Sequence, residues 1–408
     1  MRTRLLALLI ALTPGVIPAS SHAITLAEAQ RLALTHNPDL AHARLELQAQ
    51  QGAELQAGAR PNPELGVQLE DTRAATRTTT VQLSQAIELG GKREARLAAA
   101  AQAREQAAVA LAAKQAELRA AVAAAFFDLL GAQEQQRLAT SSLELARSAV
   151  TAADKRLQAG KVPPLELAKA RVAEASTRTE LAQAHSDQLL ARGRLAALLG
   201  QPLQAVPQAD GDTAALPSLP DDQRLGEWMA DAPALRLAQL DIARRQALTD
   251  GERARRVPDV TLTLGAKRDA ELGRTQAVIG FSVPLPVADR NQGNLLEALR
   301  REDQAREALT AATLKLHTDV AEAVARLKLN REQVQVLRDD ALPTAQTAYD
   351  AALKGYELGK FAFLDVLDAQ RTLFQLRRQL LQGSAEAHRA AADLDRLLGR
   401  STQNAQEN

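Results

Sequence analysis

The sequence predicts a mixed α+β membrane protein in which long helical hairpins continue an oligomeric β-barrel. Three observations lead there. A run of ~67 residues, Lys92 to Gln158, holds no proline and is rich in alanine and charge, enough for a helix of ~100 Å. Two pairs of short segments alternate apolar and polar residues with the period of a strand. The chain also repeats itself.

The repeat is visible by eye. "LQAGKVPPLELAKA" (Leu157 to Ala170) resembles "YELGKFAFLDVLDA" (Tyr356 to Ala369) at an offset of 199 residues. "LLG" at Leu198 recurs at Leu397 with the same offset of 199. Upstream, the stretch from Asn37 matches that from Ala232 at an offset of 195, pairing Pro38 with Pro233 and Pro63 with Pro258. A constant offset over such lengths marks two structural repeats. The expected division is 24–200 and 221–400, joined by a Pro-rich linker at 201–220 and followed by a polar tail at 401–408.

Residues 1–23 read as a secretory signal. Arg2 and Arg4 form the basic start, Leu5 to Ile17 the apolar stretch, and Ser21-His22-Ala23 a small-x-small cleavage site. No later run approaches the ~18 apolar residues of a spanning helix. Basic and acidic residues balance, 50 against 49, so neither nucleic acid nor another polyanion is implied as a partner. Aromatic residues are 2% of the chain, too few for a large ordinary core. Cysteine is absent, so neither disulfides nor a lipid-modified cysteine hold an exported chain. The bacterial periplasm or outer membrane is the expected destination.

Each half then follows one order. A helix (about Leu40 to Arg60, about Leu235 to Arg256) stops before a proline. Hairpins follow at about 63–89 and 258–286. Their apolar positions are Leu65, Val67, Leu69, Val81, Leu83, Ile87 and Leu89 in the first. In the second they are Val260, Leu262, Leu264, Ile279, Phe281, Val283 and Leu285. Long helical hairpins occupy about 92–199 and 291–398. In the first, only Gly131 interrupts the outgoing helix. In the second, Pro343 is the expected kink. The return helices run from about Leu165 to Leu199 and Leu364 to Leu398.

Helices of this length pack on one another as coiled coil, and small alanine side chains permit close approach. Four strands cannot close a barrel, and open edges are excluded from lipid. Several chains must therefore pool their strands.

Taken together, the mature chain resembles the TolC family of outer-membrane efflux proteins through its duplicated helix–hairpin–helix order. "IELGGKREARLAAA" and "VPLPVADRNQGNL", each following a hairpin, are similar to the CzcC-like branch that serves cation-export pumps. The resemblance implies a homotrimer whose protomers each give four strands to a shared twelve-stranded transmembrane barrel. The helices would form a periplasmic tunnel. Its tip would meet a periplasmic adaptor (membrane fusion protein) bound to an inner-membrane pump of the resistance–nodulation–division (RND) type. Divalent heavy-metal cations are the implied cargo. A channel for drugs or secreted proteins, and a periplasmic coiled-coil adaptor or scaffold, are the alternative readings. The scaffold predicts one helical hairpin between compact β-domains, whereas this chain shows two helical hairpins and two β-hairpins.

The resemblance also assigns residues. Asp365 and Asp368, one helical turn apart, match an acidic pair at the narrowest constriction. Three copies would bring carboxylates to one axis, where a ring favours cations. By themselves the two acids also fit a solvated face or the start of a helix. Tyr356 matches a latch tyrosine and Glu166 its acidic partner. The family's latch arginine falls on Phe361, with Lys360 adjacent, so the resemblance leaves open an arginine–carboxylate latch or a closed state resting on apolar contact. For Tyr356, simple packing near a helix end is the competing reading. The turns hold Gly160, Lys161 and Val162 in one repeat and Gly359, Phe361 and Phe363 in the other. Exposed Val162, Phe361 and Phe363 would offer the adaptor an apolar docking surface. The two glycines equally suit ordinary left-handed helix ends.

No catalytic constellation stands out. No glycine-rich phosphate loop or His-x-x-x-His pair occurs, so neither an enzyme nor a cofactor is expected. The scattered histidines, His36 and His42 included, read as surface or packed residues, and no resident metal site is expected.

Overall fold

The computed structural model describes residues 23–212, 215–361 and 363–400. Of the expected leader all but Ala23, and the whole polar tail 401–408, lie outside the described residues.

Two helices open the chain: α1 (Leu26–His36) and α2 (Pro38–Ala57). Thr25 and Glu28 form a reciprocal capping box on α1. Asn37 caps α2 through the Leu40 amide, with Pro38 in its first turn. Strands β1 (Glu64–Glu70) and β2 (Thr78–Ile87) follow, then α3 (Lys92–Gln158) and α4 (Pro164–Leu199). The second half repeats the order as α5 (Asp222–Ala230), α6 (Pro233–Ala254), β3 (Val260–Asp269), β4 (Arg274–Ser282), α7 (Gln292–Val336), α8 (Leu342–Glu357) and α9 (Phe363–Leu397).

Helix α3 is continuous over 67 residues. Gly131 does not interrupt it, because one flexible residue costs only about 1 kcal/mol against a long hydrogen-bonded ladder. The second outgoing helix does break its regularity. A π turn at Leu337–Ala341 separates α7 from α8, just before Pro343, whose missing N–H removes a ladder bond. Helices α1 and α5 were not anticipated, being short and set beside stronger signals.

The four strands form one antiparallel sheet in the order β1-β2-β3-β4. Leu65, Leu83, Leu264 and Ile279 make one cross-strand row, and Val67, Val81, Ala266 and Ala277 the next. Ile279 and Phe281 are 81% and 78% exposed. Behind them lies a polar face with the row Gln68, Thr80, Lys267 and Gln276, where the Ser84 and Thr263 hydroxyls meet at 3.2 Å. Strand β2 ends at Ile87, short of Leu89, whose amide donates to Asp259 at 3.0 Å. Strand β4 ends at Ser282, short of Val283 and Leu285, because Pro284 has no N–H for a ladder. A sheet apolar on one face and polar on the other, with two open edges, leaves its apolar face uncovered within one chain. Among the described residues no helix is long and apolar enough to cross a membrane.

Each repeat packs a core among its helices. Phe126, Leu129, Leu195 and Leu199 pack with Leu40 and Ile24 in the first. Leu316, Val320, Leu394 and Leu398 pack with Ala232 in the second. The linker straps them together. Its residue Ala209 bridges to Ile24, and its Pro217 carbonyl accepts from Arg331.

Candidate functional site

Each helical hairpin ends in the same turn. After α3, the Gly160 amide donates to the Leu157 carbonyl and the Lys161 amide to the Arg156 carbonyl, both at 2.9 Å. After α8, Gly359 donates to Tyr356 at 3.0 Å and Lys360 to Gly355 at 2.8 Å. Gly160 and Gly359 have φ of 66° and 71°, the left-handed residue such a cap requires.

The two tips pack against each other. Ala153, Leu167 and Ala170 from the first hairpin enclose a small core with Ala352, Tyr356 and Val366 from the second. Tyr356 is the largest of these and is buried. The Arg156 guanidinium carbon lies 4.1 Å from the centroid of its ring. Arg156 Nη2 also donates to the Tyr356 carbonyl at 3.3 Å. A cation thus meets both an aromatic face and the carbonyl end of α8. Burial pushes the Tyr356 hydroxyl above its ordinary pKa, Arg156 pulls it down, and the Glu166 carboxylate adds to the rise.

The structure therefore gathers Tyr356, Glu166 and an arginine, while Lys360 stands exposed in the turn. That arginine, Arg156, comes from the other hairpin, 200 residues away. Sequence reasoning missed it, although the repeat offset placed it one residue before the counterpart of Tyr356. Phe361, where the resemblance expected an arginine, is 51% exposed. Its ring covers the bare Cα of Gly355 so closely that a methyl group there would overlap it.

Gly160, Lys161 and Gly359 are exposed. Val162 is half-buried, which corrects the expectation that it stands exposed. The Phe363 side chain lies outside the described residues.

Asp365 and Asp368 are both exposed, Asp365 in the first turn of α9. Val366 and Gln370 point the other way and are buried. The acids head an exposed stripe that continues through Thr372, Gln375, Gln379 and Gln382, spaced three to four residues apart as one helix face demands. Among the described residues no group of three or more histidines or acids is placed to hold a metal ion.

Comparison with known proteins gives a consistent picture. A family profile described as "Outer membrane efflux protein" matches twice, over residues 30–201 and 225–400. The cobalt-zinc-cadmium resistance protein CzcC of Cupriavidus metallidurans is 44% identical over 92% of this chain and 90% of its own. The nickel and cobalt resistance protein CnrC of the same organism is 30% identical over 72% of this chain and 66% of its own. Among solved structures, a membrane protein from Pseudomonas aeruginosa superposes with a TM-score of 0.80 at 25% identity, covering 92% of this chain and 90% of that one.

Proposed function

Because the chain belongs to the outer membrane efflux protein family, a family of channels and not of enzymes, we propose that it is the exit duct of a tripartite system exporting divalent heavy-metal cations. The observation that carries the cargo is the 44% identity with a cobalt-zinc-cadmium resistance protein over 92% of the chain.

The channel works as a homotrimer. One chain supplies a four-stranded sheet with two open edges and an exposed apolar face. Edges of this kind are stable in lipid only when neighbouring copies close them. The helical tips dock a periplasmic adaptor, itself bound to an inner-membrane RND pump that supplies the energy. Gly160, Lys161, Val162, Gly359, Phe361 and Phe363 form the docking turns.

Asp365 and Asp368 line the narrowest point. Their exposure on one face of α9, opposite buried Val366 and Gln370, supports this. Six carboxylates around one axis attract cations, and exposure keeps that attraction weak enough for release. Tyr356 and Glu166, with Lys360 nearby, form the latch that keeps the tips together.

Single-channel recording in planar bilayers under a KCl gradient tests the reading. The wild type is expected to give a small cation-selective conductance. Asp365→Asn/Asp368→Asn is expected to shift the reversal potential towards zero. Unchanged selectivity would move the constriction elsewhere. Growth of a deletion strain on cobalt, zinc and cadmium tests the cargo. Unaltered metal tolerance would remove the metal assignment and leave the channel.

A further inference from the structure

All four strands meet the helices at one end of the sheet. Helix α2 enters β1, β2 leads into α3, α6 enters β3, and β4 leads towards α7. The turns at 71–77 and 270–273 therefore lie at the far end. In an outer-membrane barrel with periplasmic helices, that end faces the outer leaflet.

Strand alternation sorts the charges there. On the polar face, Lys267 lies 3.7 Å from Glu70, and Asp269 accepts the Leu272 amide at 3.0 Å. On the apolar face, the outermost ladder row is Leu69, Thr79, Arg268 and Thr275. One step further the Arg77 carbonyl accepts the Ala270 amide at 3.1 Å, which carries the ladder and its alternation to Arg77. Both arginines are exposed. Among the described residues neither side chain makes an ion pair or a hydrogen bond, whereas Asp71, in the turn that follows β1, accepts from the Thr76 hydroxyl and the Arg73 amide. Two uncommitted cations thus crown the apolar strip.

Their height matters. Ile87 and Thr79 bound the strip on β2, ~27 Å apart along the strand. A tilt of ~40° makes this ~20 Å of bilayer, close to the ~25 Å apolar band of such barrels. Guanidinium groups at that boundary meet headgroups, and their planar fork of donors fits phosphate oxygens.

We propose that Arg77 and Arg268 form a docking row for phosphate-bearing lipid headgroups of the outer leaflet. The row repeats on every protomer around the barrel. The inference rests on the outer-membrane channel reading and adds a lipid ligand to it.

The test uses the full mature assembly in neutral detergent. It is titrated separately with a bis-phosphorylated glucosamine lipid, the same lipid stripped of both phosphates, and inorganic phosphate. Bound copies are counted by native mass spectrometry. The wild type is expected to retain the phosphorylated lipid in preference. At ~1 kcal/mol for each arginine, Arg77→Gln/Arg268→Gln should weaken retention roughly thirty-fold. Arg77→Lys/Arg268→Lys should keep most of it. Lys267→Gln/Arg274→Gln, on the polar face, should leave it unchanged. Equal retention of the stripped lipid, no loss in the glutamine variant, or displacement by inorganic phosphate would each overturn the proposal. Failure of the wild type to remain in carbonate-washed outer membranes would instead overturn the channel reading beneath it.

Discussion

The Arg156 guanidinium lies over the Tyr356 ring at 4.1 Å and holds the Tyr356 carbonyl at 3.3 Å. One residue thus joins the tips of two hairpins that are 200 positions apart in sequence. The helix leading to Tyr356 also carries its own weak point, the π turn at Leu337–Ala341. Its first-repeat counterpart, α3, has none.

Arg156→Ala should therefore loosen the tip. The contact is worth about 0.5–2 kcal/mol when partly desolvated, and single-channel recordings should show a larger or more frequently open conductance. Arg156→Lys keeps the charge but loses the planar fork, and should fall between. Burial raises the Tyr356 hydroxyl above its usual value, so its contribution is complete below pH ~10 and fades as the pH climbs through the raised value. A conductance indistinguishable from wild type in Arg156→Ala would show that the contact does not restrain the tips.

Gly355→Ala should displace Phe361, because the added methyl group has no room beneath the ring. Limited trypsin digestion should then cut after Lys360 faster than in wild type. Phe361→Ala, added to Gly355→Ala, should cancel any further loss of stability, with a coupling of at least about 0.5 kcal/mol. Gly160→Ala has open space around its Cβ but a φ of 66°. It should cost about 1 kcal/mol through backbone strain alone. Additive effects at 355 and 361 would refute the steric account.

Helix α9 carries two half-buried titratable groups, His388 and Asp395, with opposite pH dependences. His388 is stacked on Phe127, with centroids 3.5 Å apart. Burial lowers its pKa to about 4, against weaker upward pulls from the Ala215 backbone and Asp212. Its contribution is present above the unfolded value of ~6.5 and is lost as the pH falls towards 4. Asp395 is raised to about 6 by burial, which outweighs the attraction of Arg400. That arginine lies 3.9 Å from Asp395 and is stacked at 3.4 Å on Trp228. The folded state therefore favours the protonated acid. Stability from this site is greatest below ~4 and declines as the pH rises towards 6. The two slopes oppose each other, so the wild-type melting temperature should vary little between pH 4 and 6. His388→Phe should expose a decline with rising pH, and Asp395→Asn a rise. Parallel profiles for the two variants would rule this out.

Much of the architecture was legible because it is periodic. The alternation of Leu65, Val67 and Leu69, and of Leu262 and Leu264, specified strands. Their ends were less legible, since Pro284 terminates β4 before Val283 and Leu285 can join it. The candidate site was legible only in part. Asp365 and Asp368 stood out by spacing, and the structure leaves both exposed on one face. Val162 looked exposed because turns usually are, and is half-buried.

By itself the sequence determined the two repeats, the alternating strands and the long helices. These depend on local periodicity, on glycine where a left-handed turn is needed, and on the absence of proline. Only the tertiary structure decided which distant partners meet: Arg156 with Tyr356, Arg331 with the Pro217 carbonyl, and the uncommitted pair Arg77 and Arg268 on one rim. The physical reason is that a helix or strand is specified by neighbours a few residues away. A contact between hairpins depends instead on packing geometry, which is fixed only once the long helices lie side by side.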